Sequence, residues 1–74
     1  MLNYTRVRNR RERLGLSQRD LEDVTGIRSD IISRIENGHR VNLTLDTLER
    51  LAQGLYLRTS DLIVEPEGQD IIVR

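Results

Sequence analysis

Polar side chains recur at helical spacing in residues 29–36 of this 74-residue chain, and together they can hydrogen-bond to a flat polar surface. They are Ser29, Asp30, Ser33 and Arg34. In a helix they fall on a flank away from the stripe of Ile32 and Ile35. Hydroxyls donate and accept, a carboxylate accepts, and a guanidinium donates through a planar fork. The chemistry they offer is recognition by hydrogen bonding, with Arg34 best suited to a contact through two bonds.

A helix-turn-helix is predicted to hold this stretch in place. Ser17 begins the first helix of the motif, because its hydroxyl can accept from the Asp20 amide while the Asp20 carboxylate reaches back. Gly26 can adopt the left-handed conformation that ends that helix, and Ile27 inserts the turn into the core. A second helix braced in this way presents one face outwards, and its diameter fits the major groove of B-form DNA. The four polar residues are therefore candidate contacts to base edges, with guanine the base that suits Arg34.

Apolar spacing predicts the other helices. A first helix covers about residues 4–13 and ends at Gly15, and a fourth begins after Thr44 and has the strongest helical period of the chain. A last short helix, capped by Thr59 or Ser60, ends near Leu62. Inward-facing positions are predicted to be Val7, Arg11, Leu14, Leu21, Val24, Leu45, Leu48, Leu51, Ala52 and Leu55. The expectation is an all-α fold of five helices.

Composition narrows the class of protein. Cysteine, tryptophan and phenylalanine are absent, so disulfides and thiolate metal sites are excluded and the core must pack from Leu, Ile and Val. The net charge is zero, but residues 1–40 carry nine arginines against six acids, whereas residues 41–74 carry three against six. This asymmetry alone is weak evidence for a nucleic-acid partner. Because the sequence has no membrane-spanning run and no signal-peptide pattern, a cytoplasmic, nucleoid-associated location is expected. No cofactor and no metal are expected.

Residues 63–74 change character and are predicted to be extended. Ile63-Val64 and Ile71-Ile72-Val73 are β-branched runs separated by a turn-rich segment. The second run can pair with the first in a hairpin, with its own copy in a homodimer, or with another protein, and a disordered end is the remaining alternative. The chain is therefore divided into a domain over residues 1–64 and a tail over residues 65–74.

Several motifs occur together and in order along the chain. They are Leu16-Ser17-Gln18 with Leu21, then Gly26-Ile27, then Ile-Ser-Arg-Ile-Glu-Asn-Gly over residues 32–38, and the leucine pattern from Leu48 to Leu55. In this combination the chain resembles the phage Cro and repressor family, also called the Xre family, over about residues 5–63. The resemblance implies a five-helix, lambda-repressor-like DNA-binding domain, usually dimeric on a palindromic operator. It implies a sequence-specific transcriptional regulator, here expected to be a repressor.

The resemblance also pairs Arg11 with Glu36. Arg11 interrupts a core-facing stripe, and a buried guanidinium demands an acidic partner. Two independent solvated charges are the alternative. Gln18 contacts DNA in similar proteins, which agrees with phosphate binding at the first turn of a helix, although it can be an ordinary first-turn residue. Phosphate contacts are predicted for Gln18, Arg28, Asn37, His39 and Arg40.

Some of these residues have competing interpretations. Arg34 can form a salt bridge with Asp30 one turn before it instead of contacting a base. Asp30 can accept from a cytosine amino group or serve the helix dipole, and the dipole is favoured. His39 can be an ordinary exposed loop residue. The arginines of the first helix can reach flanking DNA backbone or form a solvated face. They are Arg6, Arg8, Arg10 and Arg13.

Three positions depart from the family pattern. Arg28 stands where many members cap the third helix with Ser or Thr, so capping is expected to fall to Ser29. Glu22 replaces a small Ala between the second and third helices, so its carboxylate must move aside or find an arginine. Tyr56 replaces a Gly at a position that often needs positive φ, and Gly54 offers an earlier helix end.

A DNA-binding regulator with double-stranded DNA as its partner is the leading interpretation. No enzyme is expected, because the chain has a single histidine, no cysteine and no arrangement of nucleophile and base. The alternative is an antitoxin-like protein-binding module that engages a partner protein through residues 65–74. The acidic carboxyl-terminal half permits it, and neither interpretation involves a membrane.

Overall fold

The computed structural model describes residues 2–63, which form a small all-helical domain. Its elements are α1 (Tyr4–Arg13), α2 (Gln18–Thr25), α3 (Ser29–Glu36), α4 (Leu45–Gly54) and a 3₁₀ helix (Thr59–Leu62). The last short helix predicted from the sequence is therefore a 3₁₀ helix of four residues. None of the helices in this part of the chain has the length and apolar character that a membrane crossing requires.

Local hydrogen bonds define the start of each of three helices. The Asn3 side chain accepts from the Arg6 amide at the start of α1, and Thr44 accepts from the Thr47 amide at the start of α4. In front of α2, the Ser17 hydroxyl accepts from the Asp20 amide while Asp20 Oδ2 accepts from the Ser17 amide, both at 2.9 Å. These caps satisfy amides that have no partner inside a helix. The predicted capping box is therefore confirmed.

The core lies between helices that pack as the pairs α1 with α3, α2 with α3 and α2 with α4, and the 3₁₀ helix packs against α1 and α4. Its buried apolar residues are Val7, Leu21, Ile27, Ile32, Ile35, Leu51, Ala52, Leu55 and Leu62. Val24 and Leu45 were expected to face inward, and this is wrong: they are 61% and 65% exposed. Thr25 is buried in place of Val24, and its hydroxyl donates to the Leu21 carbonyl and accepts from the Ile27 amide. A hydroxyl with both bonds satisfied is cheap to bury.

The carboxyl end of α4 has both features discussed from the sequence, a helix end at Gly54 and a positive φ at Tyr56. The helix ends at Gly54, which lies so close to α2 that an added Cβ would collide with the Thr25 methyl group. Two residues later Tyr56 has a φ of 58°, the left-handed conformation. The Tyr56 amide donates to the Gln53 carbonyl and the Leu57 amide to that of Ala52, the bonds of a Schellman motif. A tyrosine thus occupies a position that favours glycine.

The two ends of the described chain lie side by side. Leu2 and Ile63 form an isolated antiparallel bridge, and the Asn3 amide donates to the Leu62 carbonyl at 2.7 Å. These contacts join the start of α1 to the end of the 3₁₀ helix. The predictions made for Val64 and for the tail over residues 65–74 lie outside the described residues.

Tyr56→Gly should stabilise the domain by about 1 kcal/mol, since the left-handed conformation costs roughly 1–2 kcal/mol for any residue with a Cβ. Little packing is lost, because Tyr56 is 77% exposed. Urea denaturation measures the change. Tyr56→Ala is the control: it removes the same ring but keeps the Cβ, so equal stability of the Gly and Ala variants would contradict the explanation.

Asp20→Asn should destabilise the domain at neutral pH and lose this effect in acid. The hydrogen bonds from the Ser17 amide and then the Ser17 hydroxyl lower the pKa of Asp20 below its usual value of 3.8. A folded-state pKa below the unfolded one stabilises the protein above the unfolded pKa, and the stabilisation is lost as pH falls through the folded pKa. Denaturation of both proteins between pH 7 and pH 2 tests this. A constant difference across that range would refute it.

Candidate nucleic-acid interface

Helix α3 is buried along one side and open along the other. Ile32, Ile35 and Glu36 are its buried residues, and α3 packs against α1 and α2. On the open flank, Asp30 and Arg34 are exposed and the hydroxyls of Ser29 and Ser33 belong to half-buried residues. The four residues predicted to read bases therefore all lie where part of each residue meets solvent.

Asp30 and Arg34 do not form the salt bridge that was the competing interpretation. The Asp30 carboxylate instead pairs with Arg28, with 3.3 Å between Arg28 Nε and Asp30 Oδ1. Both side chains are more than half exposed, so the pair is weak. Within residues 2–63 Arg34 takes part in no ion pair, which leaves its guanidinium available to a partner.

The start of α3 is capped from another helix. Arg28 occupies the N-cap position and its side chain makes no capping bond. The expectation that Ser29 would take over as cap is wrong: Ser29 is the first residue of the helix, and its amide donates to Glu22 Oε1 of α2 at 3.0 Å. The Glu22 carboxylate therefore finds a backbone amide rather than an arginine. Its long side chain spans from α2 to α3 where an Ala would not.

Arg11 and Glu36 form the main polar contact of the interior. Arg11 Nε donates to Glu36 Oε2 at 2.6 Å and Arg11 Nη2 donates to Glu36 Oε1 at 2.9 Å. A third bond runs from Arg11 Nη1 to the Leu16 carbonyl at 2.7 Å. The Glu36 side chain is 2% exposed and that of Arg11 is 11% exposed. The hydrogen bond with Glu36 raises the pKa of Arg11 above its usual value, so this charge persists at every pH of interest.

Gln18 joins the same network at the start of α2. Its Nε2 donates to Glu36 Oε1 at 3.2 Å, and the residue is half-buried. The sequence offered two interpretations of Gln18, a phosphate contact and an ordinary first-turn residue, and neither included this bond. The backbone amides of Gln18 and Arg19, the first two of α2, have no hydrogen-bond partner within the described residues. The amino end of α2 therefore keeps open amides beside a side chain that Glu36 orients.

The first three backbone amides after α3 are already used. The amides of Asn37, Gly38 and His39 donate to carbonyls of the last turn of α3, so these amides do not face a phosphate. Asn37 Nδ2 lies 3.4 Å from Ser33 Oγ, and His39 and Arg40 are exposed. Gly38 has a φ of 80°, with the Tyr4 ring packed against it.

The four arginines of α1 other than Arg11 differ in what they contact. Arg10 Nε donates to the Leu55 carbonyl at 2.9 Å, so it binds the carboxyl end of α4. Arg8 pairs with Glu12 on the surface at 3.5 Å. Arg6 and Arg13 are exposed. Sequence reasoning missed the role of Arg10, and no local signal could have revealed a bond to a carbonyl 45 residues away.

Comparisons with known proteins agree with this geometry. A family model described as helix-turn-helix matches residues 7–62. The chain is similar to the solved structure of the restriction-modification controller protein C.AhdI from Aeromonas hydrophila, with 30% identity and a TM-score of 0.73 over 81% of this chain and 89% of that one. A search of the curated proteins finds no match.

A second solved structure is similar in fold alone. It is a complex of the SinR and SinI proteins, in which the matching chain has 19% identity and a TM-score of 0.76. The match covers 96% of this chain and 75% of that one.

Glu36→Leu should cost about 3–5 kcal/mol, because it leaves the Arg11 guanidinium buried without its carboxylate. The double variant Arg11→Met with Glu36→Leu should lose less than Glu36→Leu alone, since no uncompensated charge remains. Urea denaturation of the single and double variants measures both. If Glu36→Leu is unfolded in water, recovery of a cooperative transition in the double variant gives the same result. A double variant at least as unstable as the single one would contradict the pairing.

Proposed function

The chain belongs to the phage Cro and repressor type of helix-turn-helix protein, and from this premise we propose that it is a sequence-specific DNA-binding transcriptional regulator. In this proposal α3 enters the major groove and the protein acts as a repressor. The observation that carries it is the open flank of α3, where Arg34 is exposed and unpaired within residues 2–63 beside two hydroxyls. An element with a buried apolar side and an exposed polar side is what groove recognition needs.

Base contacts are assigned to Ser29, Asp30, Ser33 and Arg34. Arg34 donates to the O6 and N7 atoms of a guanine through two bonds. Asp30, which is exposed and held by Arg28, accepts from a cytosine amino group while the arginine screens its charge from the phosphates. The serine hydroxyls adapt to donors or acceptors on neighbouring bases. The dipole role favoured from sequence is compatible with this contact, because Asp30 lies in the first turn of α3.

Phosphate contacts are assigned to both sides of α3. At the start of α2, the open amides of Gln18 and Arg19 suit a phosphate, which the helix dipole attracts. Gln18 contributes its side chain while Glu36 orients it. The side chains of Arg28, before α3, and of Asn37, His39 and Arg40, after α3, make the remaining contacts.

A homodimer on a palindromic operator is part of the proposal. Two copies of a single recognition helix read two half-sites about one helical turn apart. Residues 65–74 are proposed as the segment that joins the copies, and the domain boundary at residue 64 follows from this role. Deletion of residues 65–74, followed by measurement of the oligomeric state from the molar mass in solution, tests the idea. If the shortened chain has the same oligomeric state as the full chain, the idea is refuted.

An antitoxin-like protein-binding module is the second candidate. A structure of similar fold has been solved as a complex of two different proteins, SinR and SinI, which supports a protein partner as an alternative. Such a module needs no salt-dependent binding to DNA. A regulator binds a duplex with an affinity that falls steeply as salt rises, because arginines displace counterions from phosphates.

Arg34→Ala should relax the preference at one base pair by roughly 1–3 kcal/mol, whereas Arg40→Ala should weaken binding to all sequences and lower the salt slope by about one. Binding sites selected from a random duplex pool, then titrated at several salt concentrations, measure both effects. Arg58→Ala is the control of equal charge, because Arg58 precedes the 3₁₀ helix that packs against α1 and α4. Absence of salt-dependent binding to any duplex would end the proposal.

A further inference from the structure

We propose that Glu22 is a positioning residue for DNA recognition, which fixes the start of α3 by capping it from α2. The inference rests on the proposed function, because α3 matters as the reading element. It concerns a residue that touches no base or phosphate in the proposal above. Glu22 acts through Ser29, the first of the four base-contact residues.

The local backbone gives α3 no cap of its own. A helix normally begins after a Ser, Thr, Asp or Asn whose side chain accepts from an amide of the first turn. Arg28 stands there in extended conformation and offers no acceptor. The amides of Ile31 and Ile32 donate to the Arg28 carbonyl, which leaves those of Ser29 and Asp30 to find partners elsewhere. Glu22 Oε1 serves the Ser29 amide at 3.0 Å.

The cap links two helices that must keep a fixed angle. Glu22 lies in α2, which packs against α3, and the hydrogen bond joins residues seven positions apart across the turn. Glu22 is half-buried, so water competes less for the bond than at an exposed cap. A bond at this point restrains Ser29 and Asp30 relative to α2. The start of a recognition helix is the part that contacts base edges.

Three variants test the role of Glu22. Glu22→Ala removes the acceptor, Glu22→Gln keeps an amide acceptor without the charge, and Asp23→Ala removes the same charge from the exposed neighbouring residue. Protection of the Ser29 amide from hydrogen exchange should fall by about tenfold in Glu22→Ala, the size of a lost helix cap. Glu22→Gln should retain most of it, and Asp23→Ala should match the wild type.

Binding should separate selectivity from affinity in the same variants. Glu22→Ala should lower the ratio of specific to non-specific DNA affinity by up to about tenfold, while the salt slope stays unchanged because no phosphate contact is lost. Glu22→Gln should restore the ratio. Loss of the ratio in Asp23→Ala, or equal effects of Glu22→Gln and Glu22→Ala, would overturn the assignment, as would an unchanged ratio in Glu22→Ala.

The proposed function and the role of Glu22 fail in different ways. If the wild-type chain selects no DNA sequence, the proposed function fails, and the exchange of the Ser29 amide still decides whether Glu22 caps α3. If the wild type selects a sequence and Arg34→Ala relaxes it, the proposed function stands and the variants of Glu22 and Asp23 decide the positioning role. The double variant Glu22→Ala with Arg28→Ser checks the cap itself. It should regain the stability lost in Glu22→Ala, because Ser can accept from an amide of the first turn.

Discussion

The buried pair of Arg11 and Glu36 is the interaction on which the arrangement of this domain depends. Arg11 comes from α1 and Glu36 ends α3, while Gln18 and the Leu16 carbonyl bring in the start of α2. Desolvating two charges is expensive, and their direct attraction only repays it when every donor and acceptor is satisfied. Here no buried side-chain nitrogen or oxygen in the described residues is left without a partner. One network therefore holds both ends of the helix-turn-helix.

Further polar contacts supplement an apolar core of modest size. The core contains no Trp or Phe, and its packing rests on branched aliphatic side chains that resist rotation once buried. Such a core holds the middle of each helix, and the helix ends need contacts of their own. The polar contacts of Arg10 with Leu55 and of Asn3 with Leu62 restrain those ends. The open flank of α3 thus belongs to a domain whose helix ends are held by hydrogen bonds.

The helices could be predicted from sequence, because their signals lie within a few residues of one another. Ser17 and Asp20 are three residues apart, and the leucine period of α4 spans adjacent turns. Contacts between elements could not be predicted this way. The bond from Ser29 to Glu22 and the burial of Thr25 in place of Val24 depend on how helices approach each other. The position of Arg11 on a core-facing stripe predicts an acidic partner. That this partner is Glu36, 25 residues further along the chain, was predicted only from the resemblance.

Because residue 22 caps α3 in place of residue 28, the effect of a substitution at one of these positions depends on the residue at the other. Where Ser or Thr occupies position 28, an acid at position 22 adds little, and where Arg occupies position 28, loss of that acid leaves the helix start bare. The two substitutions are therefore epistatic: an ancestor gains Arg28 without penalty only after it already has Glu22. Among relatives of this chain, a basic residue at position 28 should accompany an acid at position 22 more often than either occurs alone.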